Sequence, residues 1–209
     1  MTARNATEQT PIRDFVFVGG SLALDLVNTE INVRGKPRDL LALPDDVVGW
    51  WQHAQGRYPE GDMVQFNGSL PPADVEFLAA TKALRATLRR IFSAIDAQQS
   101  IRTEDLEHLN AVLRLADLAV NRGTDGVVRS VYRTVNSLDG AVLLPVALSA
   151  KQLLTDGNLS RVHHCRNQRC ILFFYDDTRS ATRHWCSVGC MNRARSSQRY
   201  QAEKQRRAG

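Results

Sequence analysis

The sequence predicts a two-part α+β chain: a mainly helical N-terminal domain with a short strand pair, followed by a small C-terminal module organised around cysteine. Three observations predict it. Apolar residues recur at helical spacing through most of the first 158 positions. A β-branched run, "GVVRSVYRTV", follows a Gly-Thr-Asp-Gly turn. All four cysteines of the 209 residues fall between positions 165 and 190.

At 43% hydrophobic, the chain can bury a substantial core. Residues 1–13 are polar and aperiodic and are expected to be disordered. "DFVFVGG" reads as a short strand ending at a Gly-Gly turn. "SLALDLVNTE" reads as a helix with Ser21 as N-cap and Leu22, Leu26 and Val27 on one side. "NVRGKPRDLLAL" reads as a loop, and "PDDVVGWWQHA" starts a helix on Pro44 and two acidic residues.

After "LPPADVEF", a stripe of Val75, Leu78, Ala79, Leu84, Leu88, Ile91, Phe92 and Ile95 predicts a helix to about Ala97. "RTEDLEHLNAVLRLADLAV" predicts another, capped by Thr103, with Leu106, Leu109, Leu113 and Ala116 inward. "GVVRSVYRTV" is a strand that can pair with "LAVNR". In "DGAVLLPVALSAKQLLTDG", Pro145 predicts a kink or a late helix start. The short "TDGNLSR" is the one boundary, so a body (14–158) and a tail module (159–209) are expected to pack together.

The net charge of +5 is unevenly divided. From Ser160 onward, eleven Lys and Arg face three Asp and Glu, a surplus of eight that leaves the first 159 residues at −3. Such segregation points the tail toward a polyanion. "FVFVGGSLAL" has the length of an export signal's apolar region, but Asp14 and Asp25 flank it and glycines interrupt it. With no apolar run long enough to span a bilayer, a soluble cytoplasmic protein without a membrane partner is expected.

The cysteines are spaced Cys165-x4-Cys170, fifteen residues, then Cys186-x3-Cys190. Two close pairs at that interval match a four-thiolate zinc site, because a tetrahedral ion needs ligands from two tight turns brought together. A hairpin of "ILFFYDD" and "TRSATRHW" would join the turns. Ser187 would cap a helix holding Cys190 in its first turn, a treble-clef-like arrangement. Two disulfides or four unrelated thiols are the alternatives; the cysteine-free body and the absent export signal weigh against them. His163, His164 and His184 lie nearby, but four cysteines already fill the shell. A closed shell makes the expected ion structural, one Zn²⁺ per chain, contributing roughly 10–16 kcal/mol of apparent binding energy to folding the tail.

The last segment, "CMNRARSSQRYQAEKQRRAG", reads as a helix presenting Arg195, Arg199 and Arg206 on one side and Arg193, Lys204 and Arg207 on another near Tyr200. These six are the candidate nucleic-acid contacts, the alternative being a solvated terminal helix. In the body, Asp25, Asn28, Thr29 and Arg38, with Asp39 and near Trp50 and Trp51, are candidate small-ligand groups. Equally, Asn28 and Thr29 can cap a helix end while Arg38 and Asp39 form a loop pair. No phosphate loop, nucleophile elbow or metal-binding carboxylate pair is present, so an enzyme is not expected.

"CILFFYDDTRSATRHWCSVGCMNRAR" resembles the CGNR-type zinc finger, with Cys190-Met191-Asn192-Arg193 in the place of its Cys-Gly-Asn-Arg signature. "FVGGSLALDLVNTE" and "KPRDLLALPDDVVGWW" resemble the ABATE domain that usually precedes that finger. The resemblance implies a mainly helical domain followed by a treble clef, in proteins proposed to act as bacterial stress-responsive transcription regulators. The expectation is therefore a DNA-binding regulator with a sensing domain for a small molecule or stress signal, and with a homodimer as a possible assembly. A zinc-dependent protein-interaction adaptor is the alternative.

Overall fold

The computed structural model describes residues 15–58, 64–65, 72–134 and 138–208, and the segment expected to be disordered, 1–13, lies outside them. At the centre is α1 (Leu22–Val27), whose six residues are all buried. Ser21 caps it as expected, its hydroxyl accepting from Leu24 N at 3.3 Å. A helix apolar on every side must be enclosed on every side. It packs against α3 (Val75–Asp96), α5 (Leu144–Thr155) and a strand of the tail module.

The helix α2 (Pro44–Ala54) buries Val47, Trp50 and Trp51 against the same core. Asp74 caps α3 by accepting from Phe77 N at 2.8 Å. Its inner stripe is Phe77, Leu84, Leu88, Ile91 and Phe92, each of the last four contributing about 1.5–3 kcal/mol on full burial. The expected stripe is rotated at its start: Phe77 and Leu78 meet the core, while Val75 and Ala79 fall on the solvent side of α3. α4 (Thr103–Leu113) takes Thr103 as its first helical residue, with Arg102 at the cap, and leaves Leu106 exposed.

The chain then turns into β4 (Ala116–Arg122), which pairs antiparallel with β5 (Val128–Thr134) across Gly123–Gly126, so Ala116 belongs to a strand and not to the preceding helix. β3 (Val64–Gln65) adds a parallel edge on β5. Pro145 has no N–H for the carbonyl four residues back, and a π-helical turn, Asp139–Leu143, precedes α5 at that point.

Two expectations in the first 40 residues are corrected. Residues 15–18 form no ladder; Gly19 O accepts one bond, from Tyr175 N at 2.7 Å. A side chain at Gly19 would meet Asp25 Oδ1 and Leu24 Cβ at 2.7 Å, so the close approach of chain to helix requires glycine there. The "NVRGKPRDLLAL" segment is largely a hairpin, β1 (Glu30–Val33) with β2 (Lys36–Asp39). Its two-residue turn, Arg34–Gly35, has both φ angles positive (52° and 82°), the left-handed backbone region that a two-residue turn uses to match the right-handed twist of its strands.

In the tail, β6 (Val162–His164) pairs with β7 (Phe173–Tyr175), and the Cys165–Cys170 turn sits at the tip of that hairpin. The hairpin expected between Cys170 and Cys186 is therefore replaced by a closed loop. Buried Asp176 collects bonds from Thr178 N (2.9 Å), Thr178 Oγ1 (2.6 Å) and Arg183 N (2.7 Å), which fold the segment back before it can extend. α6 (Val188–Ala208) then projects from the cysteines.

Body and tail share one interior. Val162 and Phe173 are buried in the same cluster as α1 and α3, while Val16, Val18 and Ile31 pack against Leu172, Phe174 and the cysteines. Asn28 stitches the two together by mimicking a strand: its Nδ2 donates to Phe173 O and its Oδ1 accepts from Phe173 N, both at 2.9 Å. Arg89 on α3 donates to Val27 O (2.7 Å) on the body side and Ile171 O (3.1 Å) on the tail side.

Candidate metal centre and basic groove

The sulfurs of Cys165, Cys170, Cys186 and Cys190 all lie within 4.8 Å of one another. Two separations are 3.8 Å (Cys170 to Cys186) and 3.5 Å (Cys186 to Cys190). Four sulfurs at about 2.3 Å from a tetrahedral ion stand about 3.8 Å apart, whereas a disulfide needs about 2.05 Å. The cluster therefore fits one structural zinc ion, and the thiols are unbridged.

Their mutual effects point the same way. Hydrogen bonds from Cys170 and Cys186 pull the Cys165 thiol far below its ordinary range, and the hydrogen bond to Cys165 pushes Cys170 up to about 12. A bound cation would favour the thiolate form of all four.

Local bonds shape the shell. Cys186 N donates to Cys165 Sγ (3.4 Å), and Ser187 Oγ caps α6 by accepting from Cys190 N (3.2 Å). Asn167 donates to Cys190 O (2.9 Å) and accepts from Arg169 N (3.0 Å), tying the first turn to the helix. Arg193 Nη2 lies 3.0 Å from Cys190 Sγ, and that sulfur holds the guanidinium more firmly charged. Met191 lies in the first helical turn, where the glycine of the signature has no conformational task to perform.

Between the Cys165–Cys170 turn and α6 runs a groove of about 550 Å³. Arg166 and Arg169 line one wall; Arg193, Ser196, Ser197 and Tyr200 line the other. At 100° per residue, Lys204 and Arg207 follow Arg193 along the groove side, although Arg207 pairs with Glu203 at 2.5 Å. Arg195, Arg199 and Arg206 occupy the opposite, exposed side of the same helix. Arg166 and Arg169 were missed as candidates. Their signal was available in the first cysteine interval, Arg-Asn-Gln-Arg, which is flanked by cations at both ends.

Of the candidate ligand residues of the body, Asp25, Asn28 and Thr29 are taken up in internal hydrogen bonds. Asp25 is fully buried, accepting from Gly19 N at 2.7 Å and from the Tyr58 hydroxyl; burial raises its pKa to about 6, against the lowering effect of those bonds. Asn28 is engaged by Phe173, and Thr29 donates to Leu26 O (2.7 Å) at the end of α1 while accepting from Arg85 (3.0 Å). Asp39 turns to Arg85 at 2.6 and 2.8 Å, which leaves Arg38 exposed on β2. Trp50 and Trp51 are core residues of α2, and the Trp50 indole N–H meets no acceptor among the described residues.

The model of the ABATE family, described as "Putative stress-induced transcription regulator", matches residues 20–157. That of the CGNR zinc finger matches residues 161–203. No match was found among curated proteins. Among the described residues no helix is long and apolar enough to cross a membrane.

Proposed function

The chain belongs to the ABATE family and carries a CGNR zinc finger, and on that premise we propose that this zinc-binding regulator acts by binding DNA through the groove between its first cysteine turn and α6. The observation that carries the proposal is the convergence of Arg166, Arg169 and Arg193 on that one groove. Guanidiniums suit phosphate oxygens because their planar fork makes paired, charge-assisted bonds. Asn167, Ser196, Ser197 and Tyr200 add donors of the kind that fix orientation on a sugar–phosphate backbone.

Zinc holds the geometry. Removing it leaves four crowded thiols with no reason to stay together, and the groove loses the wall that carries Arg166 and Arg169. The far side of α6 adds Arg195, Arg199 and Arg206 to the field that attracts DNA.

Selection of DNA by the zinc-loaded chain from a random duplex pool tests the reading. Enrichment of a defined sequence that is lost on chelation supports it, and an enriched palindrome would add a homodimer. No retention of duplex at low salt would return the finger to the adaptor role.

A further inference from the structure

A second cavity, of about 220 Å³, lies where the body meets the zinc module. Its body wall is formed by Val16, Val18 and Ile31 with one polar residue, Asn32, and its tail wall carries Arg169, Arg193 and Ser187 beside the zinc-site cysteines. Those two arginines also line the basic groove, so one pair of guanidiniums stands between the two spaces. We propose that this junction cavity is an effector site for a small monocarboxylate with an apolar body, and that its occupant competes with DNA for Arg169 and Arg193. The competition rests on the DNA-binding reading; occupancy of the cavity does not.

The lining sets the ligand class. The volume falls below the ~300–1,000 Å³ used by drug-sized ligands, so the occupant is of benzoate or isovalerate size. Three aliphatic side chains hold its body, and a guanidinium prefers a carboxylate head, which it binds with two parallel bonds. Zinc with four thiolates carries a charge of −2, but the tail's surplus of eight cations leaves the module positive around it. A monoanion is therefore tolerated there, and the second charge of a dianion, which must face the thiolates, is disfavoured.

The body thereby gains an input that reaches the output directly. A carboxylate drawn to Arg193 takes donors away from Cys190 Sγ, 3.0 Å distant, and from phosphate in the groove. By linkage, DNA must weaken the effector by the same factor that the effector weakens DNA.

The test is calorimetric titration of the zinc-loaded full chain with benzoate, with neutral benzamide and dianionic phthalate as comparisons, in the absence of DNA. Benzoate is expected to bind about ten-fold or more tightly than either, and Arg169→Gln to weaken it by about 10–100-fold, the loss of a charged hydrogen-bond pair. Ile31→Trp, which fills the cavity, should abolish binding with zinc content unchanged; Val18→Phe serves if that variant does not fold. Absence of binding by benzoate and by isovalerate, equal binding of benzamide, or undiminished binding in both filled-cavity variants would overturn the site. DNA titration at saturating benzoate is the separate second arm. Lower affinity supports the competition, and unchanged affinity overturns it while leaving the site in place.

Discussion

Replacing Asn28 by alanine should destabilise the whole chain, because its side chain is the strand-like link between body and tail. The two bonds to Phe173 are both 2.9 Å, and Phe173 is 2% exposed, so water cannot take over either backbone group. A buried donor or acceptor left unpaired costs about 1–3 kcal/mol, so the pair lost together costs about 2–6 kcal/mol. For a chain of this size, each kcal/mol moves the melting temperature by about 2–4 °C, giving a drop of roughly 4–24 °C. Differential scanning calorimetry at constant free zinc measures it, with zinc content followed alongside. One transition moved as a unit is the expected result. A shift under about 2 °C, or a separate tail transition moving alone, would refute the claim that Asn28 joins the two interiors.

Other consequences follow from individual groups. The folded-state pKa of Asp25, raised to about 6, means that its protonated form is favoured in the fold; its contribution is complete below the ordinary 3.8 and lost as pH rises through 6. Asp25→Asn should therefore flatten the pH dependence of stability between about 4 and 6 in paired urea titrations at equal zinc. Asp39 behaves oppositely. Although burial opposes it, bonding to Arg85 holds its pKa at about 2, so its contribution exists above 3.8 and disappears as pH falls through 2. Arg85→Ala, which strips Asp39 and Glu30 of a buried partner, should cost about 3 kcal/mol by chemical denaturation. Cys190→Ser should lose zinc and lower the unfolding midpoint of the body as well as the tail, because Val162 and Phe173 lie in the body's core; an unchanged body transition on calorimetry would count against a shared interior.

The parts of the fold that could be read from sequence are those where local chemistry and tertiary packing agree. Ser21 and Pro44 each mark a helix start, and the cysteine spacing alone indicated the zinc shell. The failures have a common cause in long-range contacts. Phe15–Val18 has strand composition but is wedged between the two clusters, Phe15 and Phe17 against the body core and Val16 and Val18 against the zinc module, and forms no ladder. Lys36–Asp39 contains proline and charges, yet an Arg34–Gly35 turn pairs it with Glu30–Val33. Asn28 reads as a cap in sequence, and its backbone N–H does accept that role by bonding to Leu24 O at 2.9 Å; its side chain acts on Phe173, a residue 145 positions away. The groove was half visible. The arginines of α6 stood out, while those of the first cysteine turn joined them only when the metal shell brought the turn and helix together.

The most direct test of the groove as the DNA interface is the salt dependence of binding by the double variant Arg166→Gln/Arg169→Gln. Each phosphate contact contributes about 0.9 to the slope of log affinity against log salt, so loss of two should make that slope shallower by about 1.8 with zinc content intact. Arg195→Gln/Arg199→Gln, on the far side of α6, should change it less. An unchanged slope in the first variant, or a change confined to the second, would contradict the account and move the DNA off the groove.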